Sequence, residues 1–317
     1  MTGPEESAVE SVSKSSSGLP GKSRALDGFA IAGAVFCCAL WGGNAVAVKQ
    51  VVGDVPPMGL AGFRFCISLP MIALVVSRTP QRFRIPRQHW WLIPIHGLFL
   101  AVQVSTFNWG TSHGQAGRSS VFINVHPLVI TPLSVWILHE HVGWKALAGL
   151  FSAFSGVIVL VAGRLMAGGD PKADVIVLCS GCIFGFQSVF QKWCYRKVAP
   201  ASLLFWQTPF AIVLCFLGTA IFESESEWNV DQSAMIAIAY QGLAVSGLGF
   251  SLWSLLLGRY EAASLAALGF MTPLFGISLG TWIHGEPVTS SLILGATMIG
   301  FGVYLTAIDK RTGVAGR

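Results

Sequence analysis

A unit of five apolar runs occurs twice in this chain, and an odd number of runs per unit leaves few folds open. The first copy opens at Trp41-Gly42-Gly43-Asn44 and reaches Lys49, with Pro57, Leu60 and Phe63 behind it. Shifted by 143 residues without a gap, the same places hold Phe184, Gly185, Gln187, Lys192, Pro200, Leu203 and Trp206. Later in each unit the shift is 146: Pro127-Leu128 answers to Pro273-Leu274, Glu140 to Glu286, Gly149 to Gly295 and Gly156 to Gly302. Self-similarity at a fixed offset marks one structural unit used twice.

The chain is 53% hydrophobic and 11% charged, against roughly 25% charged in soluble domains. Each apolar run approaches the ~20 residues that cross the hydrocarbon core as a helix. The expectation is an all-α integral membrane protein with ten spans, near 28–48, 58–77, 90–111, 118–138, 145–163, 174–192, 202–222, 235–257, 264–283 and 289–308. The repeats then occupy 28–163 and 174–308, between a polar, disordered tail over 1–27 and a short tail over 309–317. The first run starts too late and runs too long for a cleaved signal, so it reads as a span. The 36 glycines suit helices held together by close packing in lipid. The cysteines, all within or at the ends of apolar runs, read as small apolar fillers.

Five spans per unit make the second unit enter the membrane from the opposite side, so the repeats are expected to be inverted. Charge agrees. The loop after span 2 carries Arg78, Arg82, Arg84 and Arg87, whereas its counterpart after span 7 carries Glu223, Glu225, Glu227 and Asp231. With both termini cytoplasmic, 15 Lys and Arg fall inside and four outside (Lys49, Arg118, Arg164 and Lys172), leaving Arg64 within a span. This predicts a multi-pass protein of a bacterial inner or plasma membrane. The net charge of +5 reflects these loops and is no signal for nucleic acid.

The twin five-span units, the Trp41-Gly42-Gly43-Asn44 opening, Pro56-Pro57 followed by Arg64-Phe65, and the Glu140 and Glu286 hairpins with glycines 9 and 16 residues on resemble the EamA family of the drug/metabolite transporter superfamily. The resemblance covers about 28–308 and implies a ten-helix inverted-repeat carrier with a central cavity lined mainly by spans 1, 3, 4, 6, 8 and 9. Proteins of that superfamily move amino acids, sugars, nucleotide-linked sugars and drugs. Two departures stand out: Gln207 where the first copy has Arg64, and Phe250 where such proteins often have Tyr.

Polar groups inside spans must face the bundle interior, each other or a wet cavity. On that ground Asn44, Gln103, Asn108, Gln187 and Gln207 are expected along a substrate pathway, with Asn124 and Gln241 as further interior amides. Trp41 and Trp253 lie deep enough to form an aromatic wall. His126 precedes Pro127, and its equivalent Thr272 precedes Pro273. The prolines remove a backbone hydrogen bond and are read as helix kinks; His126 joins the pathway and is the residue open to proton coupling. Arg64 is read as a structural charge that ties helix ends together or snorkels outward, with an anion-binding or gating cation as the alternative. Glu140 and Glu286 are read as carboxylates at the N-terminus of the helix that follows each hairpin, with proton coupling as the alternative.

His139-Glu140-His141 and Cys179-x-x-Cys182 lack further ligands nearby, so no metal site is expected. No nucleotide loop, dinucleotide fingerprint or catalytic motif occurs. Neither a cofactor nor a catalytic residue is expected, and transport energy would come from an ion gradient, exchange or the substrate's own gradient. The leading expectation is a secondary transporter, an exporter of a small metabolite or drug-like solute working by alternating access. The rivals are a membrane-embedded enzyme and a non-transporting membrane sensor.

Overall fold

The computed structural model describes residues 24, 26–51, 53–80, 83–114, 119–120, 122–165, 170–226, 228–284 and 290–314, with side chains except at 160–165, 277, 280–284, 291–292 and 307–314. Helices dominate the described residues. Six are long and apolar enough to cross a membrane: α1 (Gly28–Gln50), α2 (Pro57–Ser77), α3 (Arg87–His113), α6 (Pro171–Cys194), α7 (Pro200–Phe222) and α8 (Gln232–Arg259). Four shorter apolar helices complete the set: α4 (Ile123–Leu138), α5 (Trp144–Val159), α9 (Ala262–Gly276) and α10 (Ile293–Thr306).

Their starts follow from short-range chemistry. Carboxylates of Asp27, Asp170 and Asp231 accept backbone N–H bonds from Ala30 (2.8 Å), Lys172 (2.9 Å) and Ala234 (2.7 Å), capping α1, α6 and α8. Pro57 and Pro200 open α2 and α7, where a missing N–H is harmless. Large apolar side chains such as Leu74, Trp136, Ile221, Phe222 and Ile236 point outward, as a lipid-facing surface requires.

Glycines set a close crossing between α5 and α10. A Cβ built on Gly149 would run into the Gly302 carbonyl, and one on Gly156 would lie 2.8 Å from the Gly295 carbonyl. Gly149 is the equivalent of Gly295 and Gly156 of Gly302, so the partners swap in order along the crossing. The equivalent helices α5 and α10 therefore run antiparallel.

Three helices are broken near the middle of the bundle. In α4 a 3-10 turn (Ile123–Val125) precedes an α-helix (His126–Leu133) and a π-helical turn (Ser134–Leu138). In α9 a 3-10 turn (Gly269–Met271) leads into Thr272–His284. Pro127 and Pro273 each stand directly after the break, at the second position of the new helix. Pro127 has no N–H to give, and the Ile123 carbonyl accepts from the His126 backbone N–H, which closes the 3-10 turn, and from the His126 ring through Nδ1 at 3.0 Å. In α8 the stretch Tyr240–Phe250 is π-helical, a geometry that recurs at functional sites.

Two buried apolar clusters flank these breaks. One gathers around Ala30, Ala34 and Cys37 of α1 with Leu256, Leu257 and Leu265. The other gathers around Ala45, Val48 and Val51 at the opposite end of α1 with Leu60, Phe107 and Ala237.

Candidate functional site

Two chambers lie between the clusters. The first, about 90 Å³, is bounded by Trp41 and Asn44 of α1, Arg64 of α2, Asn124 and His126 of α4, and Thr272 of α9. That is several times the roughly 10–15 Å³ one water needs. The second, about 30 Å³, is bounded by Gln187 and Gln191 of α6, Gln207 of α7, and Trp253 and Ser254 of α8. Gln103, Phe184 and Phe250 line both. They form the partition.

The repeat explains the pair. Asn44 and Arg64 line the first chamber, and their sequence equivalents Gln187 and Gln207 line the second. Trp41 and Phe184, also equivalents, meet edge to face at 6.2 Å. Trp41 further touches Phe250 at 6.1 Å and Trp253 at 5.1 Å, and its Nε1 donates to the Val245 carbonyl at 3.3 Å. Trp41 thus stands at the centre of an aromatic cluster with Phe184, Phe250 and Trp253.

Seven of the eight expected pathway residues border a chamber: Trp41, Asn44, Gln103, His126, Gln187, Gln207 and Trp253. Asn108 does not. It sits buried on α3 and donates from Nδ2 to the Pro57 carbonyl at 3.1 Å, bracing α2. Gln241 is also buried away from both linings. Several lining groups keep unused hydrogen-bonding capacity: Asn124 Oδ1, His126 Nε2, Gln187 Oε1, Gln207 Oε1 and Trp253 Nε1 have no partner among the described residues.

For Arg64 the snorkelling half of the structural reading does not hold: it is 1% exposed and lines the first chamber, joined to two other helices. Its Nε donates to Ser246 Oγ at 2.8 Å and Nη1 reaches Asn44 Oδ1 at 3.5 Å. The guanidinium also lies 5.8 Å from the Phe65 ring centre and 5.7 Å from that of Phe250, within cation–π range. Phe250, the departure from the Tyr common in such proteins, is therefore an aromatic neighbour of both chambers and of the cation.

Glu140 requires a second correction. Its carboxylate caps a helix, but not the one that follows it: Oε1 accepts from Ala262 N at 2.9 Å and Oε2 from Ala263 N at 3.1 Å, at the start of α9 in the other repeat. Lys192, the repeat equivalent of Lys49, is buried beside it with Nζ 3.5 Å from Oε1. The same ammonium donates to the Leu257 carbonyl at 3.1 Å and to the Tyr260 carbonyl. One end of the bundle is thereby tied across the repeats. Nearby, Asp27 accepts from Ala30 N–H and from the Tyr260 hydroxyl at 2.8 Å, and these bonds hold its carboxyl below the ordinary value. Lys49, the equivalent of Lys192, instead donates to the Ser112 carbonyl at 3.0 Å. Glu286 lies outside the described residues. Among the described residues no group of three His, Cys, Asp or Glu is placed to hold a metal.

Comparison with known proteins places this architecture. The family model described as "EamA-like transporter family" matches residues 28–162 and again 171–308. The chain is 25% identical over 297 residues to the "Probable amino-acid metabolite efflux pump" of Salmonella typhimurium, covering 90% of this chain and 96% of that protein. It is 23% identical over 272 residues to the "Uncharacterized transporter YoaV" of Bacillus subtilis, covering 84% and 92%. A third relative, 27% identical over 266 residues with 80% and 85% covered, is the "Probable terminal-alkyne amino-acid exporter" of Streptantibioticus cattleyicolor. A crystal structure 20% identical superposes with a TM-score of 0.76 over 90% of this chain and 99% of that one, which speaks for a shared fold. These names point to transport rather than catalysis. With its two repeats each matched along nearly their whole length, the chain is a multi-pass membrane transporter and belongs to the EamA-like transporter family.

Proposed function

We propose that the protein exports a small amino-acid-type metabolite by alternating access. The observation that carries the mechanism is the pair of repeat-related chambers meeting at Gln103, Phe184 and Phe250. Two equivalent half-sites, each nearer one end of the bundle, suit a solute that is handed from one side to the other while access switches. In this reading all ten helices cross the membrane, the repeats are inverted and both termini are cytoplasmic. The antiparallel crossing of α5 and α10 supports the inversion, and the arginine-rich loop after α2 supports the orientation. The substrate class and outward direction rest on the relatives named as amino-acid exporters. His126, engaged with the Ile123 carbonyl, reads as part of the α4 break more readily than as a proton carrier. Exchange or a substrate gradient then supplies the energy.

Asn44→Leu and Gln187→Leu proteins test the pathway in proteoliposomes loaded with a panel of radiolabelled amino acids. Each substitution is expected to lower flux by about tenfold or more, the effect of losing one buried hydrogen-bonding partner, with membrane insertion unchanged. Undiminished flux in both would remove the chambers from the transport path.

A further inference from the structure

Among the described residues the lining of the first chamber carries one formal charge and none of opposite sign. Arg64 is the only ionised one of them; the rest are amide, aromatic, aliphatic, one hydroxyl and His126. Among the described residues no carboxylate lies within 4 Å of the guanidinium, although Glu140 and Lys192 form such a pair elsewhere. Of the five guanidinium N–H groups, one is used on Ser246 and one on Asn44 at a long 3.5 Å. Three have no acceptor among the described residues.

An uncompensated buried charge is expensive, and within a membrane it marks a functional position by default. The repeat sharpens the point. The equivalent position in the second chamber is Gln207, buried and neutral. A helix contact at this place therefore does not itself call for a cation. The planar fork of arginine matches a carboxylate with two parallel hydrogen bonds, which a lysine or an amide cannot reproduce. The side chain is also held in place: Ser246 fixes Nε, while Phe65 and Phe250 flank the guanidinium. A preorganised anchor loses little freedom when it binds.

We propose that Arg64 is the anchor for the carboxylate of the transported solute, making the first chamber an anion-recognising subsite and the Gln207 chamber its neutral counterpart. This rests on the transport reading above and adds the chemical class of the substrate head group. Neutral amides and esters of the same molecules are then poor ligands.

Isothermal titration of the purified full-length protein with L-leucine, L-phenylalanine and their carboxamides tests it. The wild type is expected to prefer each acid over its amide by about 10- to 100-fold, the usual worth of hydrogen bonds to a charged group. In Arg64→Gln that preference should fall below about twofold while amide binding stays as it was. A second measurement uses the wild type alone: phenylglyoxal modification of Arg64, followed by peptide mass, should be slowed by the acids and not by the amides. An acid preference that survives in Arg64→Gln, a wild type that binds no acid in preference to its amide, or modification that the acids leave unchanged would overturn the assignment. Flux in proteoliposomes separates the two claims. Acid preference without flux removes the carrier and leaves the subsite, whereas flux without acid preference removes the subsite and leaves the carrier.

Discussion

Glu140→Ala is expected to lower the stability of the folded protein by about 3–5 kcal/mol, the range for breaking a buried ion pair by removing one partner. Two N–H groups, of Ala262 and Ala263, lose their acceptor at once, and the Lys192 ammonium loses its counter-charge while keeping the Leu257 and Tyr260 carbonyls. The two amides belong to the first turn of α9, whose N–H groups have no partner within the helix. Glu140→Gln keeps an acceptor oxygen and removes only the charge, so it should cost less. Lys192→Met should also cost less, because Glu140 then still holds both amides. Unfolding midpoints in detergent at fixed lipid content rank the three, with Glu140→Ala lowest. Equal midpoints for all three and the wild type would mean that the tie across the repeats contributes nothing.

The second large effect is expected at the α5–α10 crossing. In Gly302→Ala the new methyl would meet the Gly149 carbonyl and lie 2.7 Å from the Ala153 backbone nitrogen. Backbone atoms cannot swing aside as a side-chain tip can, so one helix must shift, at about 1–3 kcal/mol for overpacking. Gly300→Ala is the internal control. A Cβ there meets nothing within 4 Å, and an alanine inside a helix is favoured over glycine by roughly 0.5–1 kcal/mol. Thermal unfolding should therefore move in opposite directions for two substitutions two residues apart. If both behave alike, close backbone approach is not what holds α5 against α10.

Much of the architecture was readable from the chain because membrane physics leaves few alternatives. Apolar runs of spanning length, their duplication and the loop charges needed no three-dimensional information. The amides at Asn44, Gln103, Gln187 and Gln207 were readable for the same reason, since an amide within a span has nowhere to go but inward. That rule says interior and nothing more, which is why Asn108, equally interior, braces Pro57 instead of lining a chamber.

The remainder depended on contacts between distant segments. Glu140 meets α9 more than 120 residues later, and local spacing pointed only to the helix next to it. The depth of Arg64 within α2 was visible, but not the Ser246 hydroxyl that receives it, because Ser246 sits in a π-helical stretch with no spacing signature of its own. The breaks before Pro127 and Pro273 were signalled by the prolines, whereas the His126 ring turning back onto the Ile123 carbonyl was not.

The most direct test of alternating access is labelling of a single cysteine at Gln103, which borders both chambers, in a protein whose seven native cysteines are replaced by alanine. A membrane-impermeant maleimide applied to oriented proteoliposomes from one side, and in a parallel sample from the other, should label this position from either side, while the liposomes stay tight to the reagent. Labelling from one side only, under every substrate condition, would contradict alternating access.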